Sequence, residues 1–287
     1  RRTEDRAPTP VDGPVVIQAR SASYTYRQGD AALREVDLTI RRGEFLAIVG
    51  QNGSGKTTLG KLLSGLLKPG RGEVLIGGVG AASLDRAKLA RLVGYVFQNP
   101  DSQIFSPTVY DEVSFGPSNF GIPRAEIEDR VVESLRAVGL DGYERRDPFA
   151  LTKGERQRVA VASVLASRPG TLILDEPTTG LDYRQQVGMM EMLARLNRAG
   201  HTVVIITHSM WAATEYAART VVMQDGSITL DGATRYVFTR EDVLASAALR
   251  PPPIVRLSNR IGAGVLTMRE MVAALGPAQI RRGSTAP

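Results

Sequence analysis

Gly50-Gln51-Asn52-Gly53-Ser54-Gly55-Lys56-Thr57 sets three glycines, a lysine and a hydroxyl at the spacing of a phosphate-binding loop. Gly50, Gly53 and Gly55 let the backbone aim N–H groups at one centre, and a following helix adds its positive end. Lys56 is then placed to reach the β- and γ-phosphates of ATP, and the Thr57 hydroxyl to ligate Mg²⁺. Asn52, Ser54 and Thr58 complete the stretch that would line the phosphates. A second cluster, Asp175-Glu176, ends the apolar run Leu172-Ile-Leu. At the C-terminal edge of a parallel strand, Asp175 would hold Mg²⁺ through water and Glu176 would polarise an attacking water. Asp-Glu-Pro is turn chemistry as well, so the pair carries weight because a phosphate loop precedes it.

These residues need elements to carry them. Phe45-Leu-Ala-Ile-Val49 is an apolar run of strand length, and Thr58 onward (TLGKLLSGLL) has apolar residues at helical spacing. The loop therefore sits between a strand and a helix, as the motif requires. Leu92–Val96 and Val203–Ile206 read as further strands. The alternation of strand and helix patterns predicts an α/β chain with a parallel sheet flanked by helices, its site at the C-terminal edge. The middle, about 87–166, reads as mostly helical, with loops at Gly116-Pro117, Gly121-Ile-Pro123 and Asp147-Pro148.

With both motifs in this order, residues 15–240 resemble the ATPase subunit of an ATP-binding cassette (ABC) transporter. That family carries an LSGGQ-type signature before its Asp-Glu strand, and Leu151-Thr152-Lys153-Gly154-Glu155 occupies the place here. Thr152 keeps a hydroxyl and Gly154 an unhindered N–H, whereas Lys153 stands for the usual glycine and Glu155 for the usual glutamine. The resemblance implies a P-loop NTPase cassette: a RecA-like parallel-sheet core, an antiparallel β subdomain, an inserted helical subdomain and a small C-terminal extension. It implies that the chain binds and hydrolyses ATP with Mg²⁺, and that Thr152 and Gly154 serve the γ-phosphate held by a second subunit. By the same resemblance Gln98 contacts Mg²⁺ and senses a membrane partner. Asp182, in Thr179-Gly-Leu-Asp182, faces the other subunit, and His208 contacts the γ-phosphate. Tyr26 is the adenine-stacking aromatic; strand alternation alone would put Tyr24 and Tyr26 on one face. Ser209 replaces the acidic residue often found after the histidine.

Further segments resemble the ATPases of energy-coupling factor (ECF) transporters. These are Pro100–Val109 with Asp111–Pro117, Met210-Trp211 after the histidine, and Leu249-Arg-Pro-Pro-Pro-Ile-Val-Arg-Leu257. The resemblance implies uptake of a vitamin or a transition-metal ion. The partners it implies are a second ABC ATPase subunit, a transmembrane coupling subunit and a substrate-binding membrane subunit. It places the chain at the cytoplasmic face of the cell membrane. The segment 98–115 would receive a coupling helix, with Asp101, Asp111 and Glu112 as candidates to pair with a cation there.

Composition is compatible with this reading. The chain has 287 residues, 43% of them apolar, enough for a sizeable core with a smaller appendage. No apolar run approaches bilayer-spanning length, and no secretory signal is expected at its start. Expected boundaries are a flexible leader at 1–14, the ATPase domain at 15–240, and a C-terminal extension at 241–287 that serves as a dimerisation element. Net charge is +6, with five lysines and scattered arginine pairs rather than one basic stripe, so no direct nucleic-acid partner is expected. Absence of cysteine removes thiol chemistry and zinc–thiolate sites. Two other classes of phosphate-loop protein fit less well. A soluble ABC ATPase of the repair or chromosome kind, acting on nucleic acid, would insert long coiled coils, but Lys56 and Thr152 lie within a hundred positions and show no sustained heptads. One acting on ribosomes would usually carry two cassettes, where one is read here. A phosphate-loop kinase would leave the signature and His208 without a role.

Overall fold

Short runs dominated by β-branched and aliphatic residues, buried on both faces, build the central sheet. The computed structural model describes residues 13–26, 29 and 31–280. Its strands are β1 (Val15–Thr25), β2 (Ala31–Arg41), β3 (Phe45–Gly50), β4 (Arg71–Ile76), β5 (Val79–Gly80), β6 (Val93–Val96), β7 (Thr171–Asp175), β8 (Thr202–Thr207), β9 (Arg219–Gln224) and β10 (Ser227–Ala233). The helices are α1 (Lys56–Leu63), α2 (Arg86–Leu92), α3 (Val109–Asn119), α4 (Arg124–Val138), α5 (Lys153–Leu165), α6 (Tyr183–Arg198), α7 (Met210–Tyr216), α8 (Thr234–Thr239), α9 (Glu241–Ser246), α10 (Pro253–Ile261) and α11 (Met268–Ile280).

The six-stranded sheet has the order β10-β9-β3-β8-β7-β6, with antiparallel pairing only at β10. A second, antiparallel sheet has the order β2-β1-β4-β5. Each residue of β3 is buried, and its faces serve two cores. Phe45, Ala47 and Val49 join a cluster with α5 and α6, whereas Leu46 and Ile48 join one with α1 and the antiparallel sheet. Register aligns the strand ends that matter: Val49 lies opposite Thr207, Asp175 opposite Ile206, and Leu174 opposite Val96. Residues 50–57, 175–176, 207–208 and 97–98 therefore leave the sheet at one edge.

Helices α3, α4 and α5 form the helical insertion, with Val113, Val131, Leu135 and Val159 buried among them. The span 87–166 is not helical throughout: after α2, β6 pairs with β7 as an edge strand of the core sheet. Four consecutive buried residues, Val93-Gly-Tyr-Val96, suit a strand covered on both faces. In the C-terminal part, Val237, Phe238, Leu244 and Val255 from α8, α9 and α10 are buried in the larger core. Arg235 pairs with Glu270 at 2.7 Å and ties α8 to α11. Most of the expected leader, residues 1–12, lies outside the described residues. No described helix is long and apolar enough to cross a membrane.

Candidate active site

Gly55 caps α1 with φ 97° and no side-chain hydrogen bond, so the first turn of the helix opens directly onto the loop. Two glycines are required by close approach. A Cβ at Gly55 would lie 2.6 Å from the Ala32 carbonyl oxygen, and one at Gly50 would lie 2.5 Å from Met223 O and Ser54 Oγ. Among the described residues, the N–H groups of Gly53, Gly55, Lys56 and Thr57 find no acceptor. Ser54 Oγ is buried and also without a partner. Unpaired donors and a buried hydroxyl around one loop are what an anion with several acceptor oxygens would satisfy. Asn52 and Gly53 form the exposed crest, and Thr58 is buried behind it.

Lys56 is buried, its ammonium donating to the carbonyls of Gly50 (2.8 Å) and Gln51 (2.7 Å). Burial lowers its pKa below the usual lysine range, partly offset by the nearby carboxylates of Glu176 and Asp175. The Thr57 hydroxyl donates to Asp175 Oδ1 at 3.1 Å, so residues 118 positions apart meet at the sheet edge. Burial pushes the Asp175 carboxyl up, against hydrogen bonds from Thr57 and Tyr95 that favour its charged form. Tyr95 donates to Asp175 Oδ2 at 3.0 Å. A hydroxyl beside a carboxylate is a donor set that suits Mg²⁺. That ion keeps several waters and takes phosphate oxygens as further ligands.

Glu176 follows with φ 47°, a left-handed backbone uncommon for a side chain of this size. Its N–H donates to Ile206 O at 2.8 Å, which anchors the turn to β8. The carboxylate is 7% exposed. Its Oε1 accepts from the His208 N–H (3.1 Å) and lies 2.8 Å from His208 Nδ1. Its Oε2 accepts from the hydroxyls of Thr179 (3.3 Å) and Thr207 (3.4 Å). A buried carboxylate held by four donors, beside a half-open imidazole, can accept a proton from water and orient it. Ser209, for which the sequence suggested no role, caps α7 through Ala212 N–H.

Tyr26 lies just past the end of β1, and its ring still meets that of Tyr24 edge-on, with centroids 4.9 Å apart. Tyr24 packs on the smaller core, whereas Tyr26 is 44% exposed with its hydroxyl 3.2 Å from Thr58 Oγ1. An exposed ring anchored to the phosphate loop is well placed to stack on a base. Gln98 is exposed just beyond β6.

The signature turn lies at the start of α5. Thr152 and Glu155 form a capping box: Glu155 N–H donates to Thr152 Oγ1 (3.3 Å), and Thr152 N–H donates to Glu155 Oε2 (2.9 Å). Tyr143 adds a hydrogen bond to Glu155 Oε1 at 2.9 Å. The unusual Glu155 is thus an N-cap partner, which a carboxylate fills well. Gly154 faces Gln185, and a Cβ at Gly180 would collide with Lys153 Nζ. The turn therefore packs on Thr179–Asp182 of its own chain, where Asp182 caps α6 through Gln185 N–H at 2.8 Å.

Two acids expected to face a partner are engaged within the chain. Glu112 is 3% exposed and accepts from Phe105 and Ser106 N–H at 3.0 Å each. Asp101 lies 2.9 Å from Arg156 Nε. Loop N–H groups need a buried acceptor, and this outcompeted the surface role for Glu112. Asp111 remains exposed. The sequence reading also missed Tyr95, Thr179 and Thr207. The one signal for Tyr95 was a phenol inside a four-residue buried strand, where its hydroxyl had to find a partner.

Residues 33–179 match the model of the ABC transporter family. An energy-coupling factor transporter ATP-binding protein of Methanothermobacter thermautotrophicus is 44% identical over 86% of this chain and 80% of its own length. A longer relative from Caldanaerobacter subterraneus, described as a putative ABC transporter ATP-binding protein, is 52% identical over 91% of this chain. The chain spans 46% of that protein. Among solved structures, cbiO1 of Clostridium perfringens, part of the transporter complex cbiONQ, superposes with TM-score 0.73 at 36% identity, covering 85% of this chain and 98% of its own. A dimeric ATP-binding cassette bound to ADP and Pi gives TM-score 0.69 at 30% identity, covering 76% and 98%. By sequence and fold, the chain belongs to the ABC transporter family, as an ATP-binding domain of the energy-coupling factor kind.

Proposed function

We propose that this chain is the ATP-hydrolysing subunit of an ECF-type importer, working as a pair of cassettes beneath a transmembrane coupling subunit and a substrate-binding membrane subunit. The observation that carries the chemistry is Glu176, buried and held by His208, Thr179 and Thr207 one residue from the Thr57–Asp175 pair. The loop N–H groups and Lys56 bind the β- and γ-phosphates, Lys56 exchanging the carbonyls of Gly50 and Gln51 for phosphate oxygens. Thr57, Asp175 and Gln98 would hold Mg²⁺, which when bound neutralises charge on the phosphate oxygens. Tyr26 stacks on adenine. Glu176 orients water for in-line attack, and His208 faces the γ-phosphate from the other side of that carboxylate.

Thr152 and Gly154, at the start of α5, serve the nucleotide of a second subunit, with Asp182 at the same interface. Closure of the pair then requires both nucleotides. The exposed, edge-stacked Phe105 and Phe115, with ring centroids 4.8 Å apart, offer the apolar surface beside Gln98 that suits a coupling helix. The chain would thus be peripheral at the cytoplasmic face, and the cargo would be a vitamin or a transition-metal ion. Native purification from membranes with mass spectrometry tests this: an integral membrane protein should co-purify, and recovery of rRNA or DNA alone would overturn it.

A further inference from the structure

From the buried contact between β6 and β7, we infer that Tyr95 is a positioning residue of the metal side of the ATP site. Its hydroxyl, which donates to Asp175 Oδ2 at 3.0 Å, holds the carboxylate in the orientation that serves Mg²⁺. This inference rests on the Mg²⁺–ATP reading above. Asp175 has two oxygens with different neighbours. Oδ1 faces Thr57 on the phosphate loop at 3.1 Å, while Oδ2 points back toward the sheet, where Tyr95 meets it. One bond alone would leave the carboxylate free to rotate about its Cβ–Cγ axis; two bonds from opposite sides fix its plane.

The phenol is itself held rigidly. Tyr95 is 8% exposed, in a strand whose four residues are all buried. Its ring packs edge-on to Phe97 with centroids 5.1 Å apart. On the other side it faces α1, where a Cβ at Gly60 would come within 3.4 Å of Tyr95 Cε2. Such a Cβ would be in ordinary van der Waals contact with the ring, and would collide instead with Ile206 Cδ1. Groups that hydrogen-bond a metal-holding side chain from behind tune its affinity for the ion, typically by ten- to a hundredfold. The chain leaves this strand through Phe97 to Gln98, so one short segment positions two of the side chains assigned to Mg²⁺.

The test is Tyr95→Phe, which removes one oxygen and keeps the ring packing. Binding of a fluorescent ATP analogue is titrated with Mg²⁺, and again in EDTA, and Mn²⁺ binding in the presence of nucleotide is followed by electron paramagnetic resonance. The expected result is an Mg²⁺ midpoint raised about tenfold, Mn²⁺ affinity weakened in parallel, and nucleotide affinity in EDTA within about twofold of wild type. Thermal unfolding of the same variant separates a packing role. A lowered Tm with an unmoved Mg²⁺ midpoint would make Tyr95 structural only and overturn the inference. If the wild-type chain bound no nucleotide at all, the ATP reading would fall first and take this inference with it.

Discussion

Replacing Glu176 by Gln separates its chemistry from its place in the fold. The side-chain oxygen of Gln can still accept from the His208 N–H and face Nδ1, as Oε1 does at 3.1 and 2.8 Å. Its amide nitrogen would face the hydroxyls of Thr179 and Thr207, now 3.3 and 3.4 Å from Oε2, and both hydroxyls can turn to accept. No buried polar atom is orphaned. Loss of charge weakens these bonds by about 1 kcal/mol, and relief of burying a carboxylate acts the other way. For a chain of this size Tm should then move by less than about 4 °C. The basicity needed to polarise water is lost, so turnover should fall about 10²–10³-fold, or roughly 2.7–4 kcal/mol in the barrier. Phosphate release at saturating MgATP, beside an independent nucleotide-binding measurement, reads both effects. Turnover within threefold of wild type would refute the role of Glu176, and lost binding would show that the substitution had damaged the loop instead.

Three further outcomes are expected. Lys56→Ala should bind ATP at least tenfold more weakly, about 1.4 kcal/mol or more, because a charge-assisted contact to phosphate is lost; calorimetric titration reads it, and wild-type affinity would contradict the loop assignment. Tyr26→Ala should lose about 1–3 kcal/mol of nucleotide affinity and Tyr26→Phe little of it, since stacking needs the ring and not the hydroxyl; equal losses would point to the Thr58 contact instead. Glu155→Ala should destabilise the fold by about 1 kcal/mol near neutral pH through loss of the capping box. Hydrogen bonds from Thr152, and further from Tyr143, hold the Glu155 carboxyl below its ordinary value. Its contribution is therefore complete above the unfolded pKa of about 4.3 and is lost as pH falls through the lower folded value. Denaturant unfolding of wild type and variant should converge in acid; a constant gap down to pH 2 would refute the carboxylate's part.

What could be read from residue order was whatever lies within one segment. The phosphate loop is local: eight consecutive residues between a strand and a helix announce their own chemistry. Asp175 and Glu176 were legible as a strand end for the same reason. Meetings across strands were not legible. Glu176 reaches His208 only because Asp175 pairs with Ile206 in register, and Tyr95 reaches Asp175 only because β6 lies beside β7. The run Leu92–Val96 was legible as a strand, but its place at the edge of the sheet beside β7 was not. Glu112 looked like a surface acid because nothing in the order of residues shows that two loop N–H groups turn toward it.

In the proposed mechanism two chains share their ATP sites, with Thr152 and Gly154 of one closing on the phosphate loop of the other. The most direct test is the solution mass of the Glu176→Gln protein by light scattering, with and without MgATP. One chain, 31.0 kDa, is expected without nucleotide and two chains with it. Adding Lys56→Ala should return the mass to one chain. A mass that stays at one chain in saturating MgATP, with ATP bound, would contradict the shared-site account.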